Sequence, residues 1–310
     1  MKFSEMKYTR PDVVAIQMAY RDMAQRFPLC DSPEEQLALL DQHETFLKDL
    51  RTMGNLAYIR NSIDTTDPFY REEQQFFDES LPVLQEDIQK FMDQVLASPF
   101  RGELEKATGE LFFRNQEIAK KTFSPEIIPL MQEENRLATE YERLLASARI
   151  AIQGEECNLS EIIRYQTAPD RELRREAWEK TDAFFAEHGE RLDALYDALV
   201  KCRTQQAHKL GYENFVQLGY DRLGRNCYTP ADVAAFRNQV AADLVPVVEQ
   251  LKEGQAARLG LSELRFWDED TLLPQGNPAP KGGQEALVEA AQQMYREMSP
   301  ETGEFFDCMV

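Results

Sequence analysis

The 310-residue chain carries 55 acidic against 35 basic side chains, a formal charge of −20. That field repels nucleic acid and anionic lipid, so neither nucleic acid nor a membrane is expected as a partner. Hydrophobic residues at 43% supply a core for one large domain or two, while no run approaches the ~18 apolar residues of a membrane span.

The opening MKFSEMKYTRPD has no apolar leader region, which predicts a cytoplasmic chain without a secretory signal. Further along, one signature recurs: a short polar residue followed by proline and often an acid. It stands at Ser32-Pro33-Glu34, Asp67-Pro68, Ser124-Pro125-Glu126, Thr229-Pro230 and Ser299-Pro300-Glu301. The polar side chain can cap free N–H groups, proline suits the first helical position, and the acid complements the positive end of the helix. Ser32 with Glu35 also fits a capping box.

Between these starts the apolar spacing is helical. Leu37, Leu40, Leu47 and Leu50 keep one side of the first long segment apolar. Leu137, Tyr141 and Leu144 do so after Ser124, and Leu195, Leu199 and Cys202 after Glu190. Pro82 should start a new helix or kink the segment begun at Pro68. Alternation about Gly154 reads as a small β-hairpin near 147–159, and Leu264–Asp268 as a short strand followed by a long loop. The fold class is therefore mainly α, multi-helical. At the far end, Phe305, Phe306, Met309 and Val310 give an apolar side to the helix opened by Ser299, which suggests that more chain once followed.

Metal chemistry has little to draw on. Only His43, His188 and His208 are present. His43-Glu44 begins an H-E-x-x-H zinc pattern, but its second imidazole is replaced by Leu47, so His43 reads as a surface residue. The residues three before each histidine are Leu40, Phe185 and Gln205, which excludes the Glu-x-x-His pair of a di-iron bundle. Five cysteines form no C-x-x-C pair and suit a reducing compartment. No nucleophile elbow or phosphate loop occurs, and carboxylate pairs such as Glu133-Glu134 are too common to assign acid–base duty.

One stretch stands out, KLGYENFVQLGYDRLGRNCY from Lys209 to Tyr228, with three tyrosines, two arginines and three glycines. Such groups beside tight turns can line a cleft for peptide backbone and carboxylate, which makes Tyr212, Tyr220, Arg222 and Arg225 candidate substrate-groove residues. Equally, Tyr212, Phe215 and Tyr220 can be core residues joining two helices, with Arg222 and Arg225 on the acidic surface.

The same stretch resembles the oligoendopeptidase F group of the thimet oligopeptidase-like zinc oligopeptidases. KTFSPEIIPLMQEENRLATEY from Lys120, SPETGEFFD near the end and the opening residues agree in order. The resemblance implies the front half of a two-lobed cleft peptidase that cuts short unstructured peptides: an N-terminal helical lobe over 1–115, then the first part of the catalytic lobe over 116–310. It also implies a zinc helix beyond SPETGEFFD, so this chain has no catalytic or metal-ligating residue of its own and no cofactor, zinc belonging to the full-length family. The expected partners are short peptides once the cleft is completed, and either the C-terminal half of the peptidase or a second copy. Two other readings remain: a non-catalytic acidic helical scaffold binding peptide or protein, and an adaptor for basic partners.

Overall fold

A computed structural model describes residues 3–310 and shows helices linked mostly by short turns, with one long connection over 260–283. In chain order they are α1 (Val13–Arg26), α2 (Pro33–Ile63), α3 (Pro68–Leu96), α4 (Arg101–Thr108), α5 (Glu110–Lys121) and α6 (Ile128–Ala146). A hairpin follows, β1 (Ile150–Ile152) and β2 (Glu155–Cys157), then α7 (Ile163–Gln166), α8 (Arg171–Glu187), α9 (Gly189–Lys209) and α10 (Phe215–Arg222). The last are α11 (Pro230–Gln239), α12 (Val245–Leu259), α13 (Gln284–Met298) and α14 (Pro300–Met309). Among the described residues no helix is long and apolar enough to cross a membrane.

All five polar–proline pairs begin helical segments. Ser32, Asp67, Ser124, Thr229 and Ser299 are extended N-cap residues whose side chains accept backbone N–H groups, each with proline in the first turn. The carboxylate of Glu35 takes the N–H of Asp31 at 3.0 Å, one residue before the cap, which departs from the expected capping box.

Two compact units emerge. One comprises residues 10–161 and 180–247, the other residues 3–9, 162–179 and 248–310. Residue 115, where a lobe boundary was expected, lies inside α5. In the larger unit the core gathers Tyr20, Met23 and Phe27 with Leu39 and Leu40 of α2 and Phe91 and Met92 of α3. A smaller cluster joins Leu137 of α6 to Leu195 and Cys202 of α9. Buried Asp87 of α3 accepts from Arg21 Nε and Gln17 Nε2 of α1, both at 2.9 Å, and so zips α1 onto α3.

Contrary to the surface position expected from its sequence context, His43 is buried. Its Nδ1 meets the Tyr20 hydroxyl at 2.9 Å and its ring tilts against Phe91. The reason is register: position 43 falls on the face of α2 that Leu39, Leu40 and Leu50 turn to the core. Burial, aided by Arg51, lowers its pKa to about 4. The folded state thus holds His43 neutral while the unfolded chain protonates near 6.5. Stability from this group is full above pH 6.5 and falls as pH drops toward 4, by about 3 kcal/mol. A His43→Gln variant is expected to lose less melting temperature between pH 7 and 4.5 than the parent; identical slopes would contradict this.

α3 runs unbroken through Pro82, so no new helix begins there. Proline has no N–H for the carbonyl four residues earlier, that of Asp78. Asn135 Nδ2 of α6 donates to that oxygen at 2.9 Å, and Gln132 Nε2 donates to the next one, Glu79 O, at 2.7 Å. The break in the helix ladder is filled from the neighbouring helix.

The hairpin forms as expected. Ile152 pairs with Glu155 across a two-residue turn in which Gln153 and Gly154 both take positive φ, 52° and 81°, the geometry that matches strand twist. Ile150, Ile152 and Cys157 point inward.

In the smaller unit, Leu264–Asp268 is not a strand: Phe266–Asp268 forms a 3-10 turn. The cause is Asp268, whose N–H donates to Arg265 O at 2.8 Å while its carboxylate accepts the Arg265 N–H at 3.1 Å. These bonds close the backbone on itself, and the alternating side chains find no partner strand. The fully buried Asp268 carboxylate also binds Arg171 Nη2 at 2.7 Å and Arg174 Nη2 at 3.0 Å. Gln255 Nε2 of α12 meets the carbonyls of Glu269 and Thr271 at 2.9 and 2.7 Å. α13 packs on α14 by a stacked Tyr295–Phe306 pair, with Gly303 so close to Arg296 that a Cβ would lie 3.2 Å from its Cα.

Candidate functional site

The Lys209–Tyr228 stretch folds as the end of α9, a turn at Gly211 (φ 82°), α10 and a second turn at Gly224 (φ 63°). Asn214 caps α10, accepting from Val216 N at 2.9 Å. What holds α10 in place is Glu134, 7% exposed on α6. Its carboxylate accepts from Arg203 Nε at 2.7 Å, Gln206 Nε2 at 2.9 Å and Arg222 Nη1 at 3.0 Å. Burial pushes the Glu134 pKa up, but the charge of Arg222 and these hydrogen bonds outweigh it and hold the group below the usual carboxylate range. Both guanidiniums lie over the Phe215 ring, at 5.6 and 5.8 Å. Alongside, Cys202 Sγ reaches Leu130 O at 3.1 Å.

The four groove candidates divide into two pairs. Tyr212 and Arg222 are engaged internally: the Tyr212 hydroxyl donates to Asp221 Oδ2 at 2.7 Å, and Arg222 is bound by Glu134. Burial and the Asp221 carboxylate raise the Tyr212 pKa, so its hydroxyl stays protonated. Tyr220 and Arg225 form the other pair. The Arg225 guanidinium sits 4.7 Å over the Tyr220 ring, and Tyr228 meets that ring edge-on at 6.3 Å.

A separate groove of about 640 Å³ between α3 and α6 is lined by acids including Asp78, Glu79, Glu133 and Glu140. Burial raises the Asp78 pKa, against hydrogen bonds from Thr139 and Gln74. Among the described residues no group of three or more His, Cys, Asp or Glu side chains could hold a metal ion. His188 packs on Phe184 and His208 Nε2 meets Glu213 O at 3.1 Å, each far in role from a ligand set.

Residues 3–123 match the family model for the peptidase M3 N-terminal domain, and residues 164–275 that for peptidase family M3. The chain belongs to the M3 peptidases. A structure described as an oligoendopeptidase F from Bacillus anthracis (strain Ames) is 42% identical over 99% of this chain and 56% of its own, with a TM-score of 0.95. A second oligoendopeptidase F structure matches at 42% identity and TM-score 0.96, covering 99% of this chain and 54% of its own. PZ peptidase A, solved with an inhibitor, matches at 42% and 0.96 over 98% of this chain and 54% of its own. The chain thus spans about half the length of these M3 relatives. A comparison with curated proteins found no match.

Sequence reasoning missed Glu134, the hub of the site. The signal was present: Leu130, Glu134 and Leu137 share one helix face, and a carboxylate on an apolar stripe requires a buried partner.

Proposed function

We propose that this M3 chain contributes the front portion of a zinc-dependent oligopeptidase acting on short, unstructured peptides. One observation carries the reading: 42% identity and near-complete superposition over 99% of this chain on oligoendopeptidase F structures of which it spans about half. Zinc in this family supplies a Lewis acid and an activated water. The described residues offer no side-chain set that fits the ion, so its ligands belong to polypeptide corresponding to the rest of the relatives. The residues here serve binding and scaffolding. Glu134, Arg203 and Arg222 hold α10, and Tyr220 and Arg225 are left for ligand. Within the larger unit, apolar side chains exposed from α11 onward, Phe236 at 66% and Leu244 at 53%, favour a protein partner over a bare surface.

The 310-residue protein is expected to leave a quenched fluorogenic peptide intact, with or without added zinc. Extending the reading frame to include an H-E-x-x-H segment is expected to give turnover that a chelator abolishes. Chelator-sensitive hydrolysis by the 310-residue protein itself would overturn the proposal.

A further inference from the structure

The end of α10 builds a binding edge by backbone geometry. Gly224 takes a left-handed φ of 63°, and two bonds close the helix: Gly224 N to Asp221 O at 2.9 Å and Arg225 N to Tyr220 O at 3.0 Å. This pairing brings the residue two beyond the cap onto the residue three from the helix end. A hydrophobic side chain usually fills that position; here it is a guanidinium, stacked at 4.7 Å on Tyr220. The next residue anchors the turn, since the Asn226 amide donates to Asn115 Oδ1 of α5. Tyr228, 42% exposed, stands edge-on to Tyr220.

Arg225 differs from Arg222 three residues earlier. Arg222 is bound by Glu134, whereas among the described residues no carboxylate lies within ion-pair reach of Arg225. In a chain of 55 acids, a half-buried guanidinium fixed by stacking and lacking an acceptor is a prepared site for a planar anion. The ring contact restrains the guanidinium carbon over Tyr220, and the forked N–H groups of an arginine can give two parallel hydrogen bonds, which a carboxylate matches.

We propose that Arg225, fixed on Tyr220 and flanked by Tyr228, binds a carboxylate of a peptide ligand. This rests on the reading that the chain handles peptides. The test uses one labelled pentapeptide in three forms: a free C-terminal carboxylate, a C-terminal amide, and the amide with an internal glutamate. Each is titrated with the 310-residue protein by fluorescence anisotropy. The free acid is expected to bind about tenfold more tightly than the amide, the scale of a charge-assisted contact. Arg225→Gln is expected to bring the acid down to the amide's affinity with circular dichroism and melting temperature unchanged. Recovery of tight binding by the glutamate form supports a site open to side-chain carboxylates, and its absence supports a site for the chain terminus. Equal binding of acid and amide by the parent protein, or a preference retained in Arg225→Gln, overturns the assignment while leaving the peptide reading intact. Binding of none of the three rejects both.

Discussion

Replacing Asp268 by alanine is expected to destabilise the smaller unit by about 3–5 kcal/mol. Asp268 is fully buried and Arg174 nearly so, at 3% side-chain exposure. Removing the acid strands a charge that cannot reach water. Carbonyls of Ala168, Pro169 and Trp267 still accept from Arg174, but they carry no negative charge to offset it. The turn at Phe266–Asp268 also loses the bond to Arg265 N. Urea denaturation followed by Trp267 and Trp178 fluorescence reads this directly, since Trp178 packs edge-on to Phe266 at 5.7 Å. The same group sets an acid response. Burial would raise the Asp268 pKa, yet the bonds from Arg171, Arg265 N–H and Arg174 pull it down to about 2. Its contribution is complete above the ordinary value near 4 and disappears as pH falls through 2, about 2 kcal/mol in all. Asp268→Asn should flatten that part of the stability–pH curve. A cost under 1 kcal/mol for Asp268→Ala would show that the arginines are satisfied without it.

The second large effect belongs to Glu134. Glu134→Ala is expected to cost about 2–4 kcal/mol, less than Asp268→Ala because Arg203 and Arg222 are each about one-third exposed and can turn to water. Two guanidiniums then face each other over Phe215 without a counter-charge, and α10 should loosen first. Hydrogen exchange over Phe215–Arg222 is expected to accelerate more than over α1. A triple change, Glu134→Met with Arg203→Met and Arg222→Met, should recover part of the loss by replacing charge with packing. Uniform acceleration across the unit would count against a local latch.

The helical class was legible because its signals are local. Each of the five polar–proline starts is a cap that needs no distant partner, and the hairpin rests on Gly154 and its alternating neighbours. The failures share a different cause. His43 shares its helix face with Leu40 and Leu50, a spacing the sequence carries, but the Tyr20 and Phe91 that cover it come from distant segments. Leu264–Asp268 alternates like a strand, but a strand needs a partner, and the acid at its end found two arginines 97 and 94 residues away instead. In the Lys209–Tyr228 stretch, composition marked the right segment without separating its members. Arg222 and Arg225 look alike in sequence. Glu134, 88 residues before Arg222, makes the first a strut and leaves the second open.

Pro82 has a consequence for how α3 and α6 find each other. An ordinary helix conceals its polar backbone, so a neighbour can slide along it by a turn at small cost. By withholding one amide, the imino ring frees the Asp78 carbonyl at a fixed height, where Asn135 docks while Gln132 takes the Glu79 carbonyl beside it. The fault works as a keyway: it sets the register between two helices using main-chain atoms. Changes at positions 82 and 135 should therefore be felt together rather than separately.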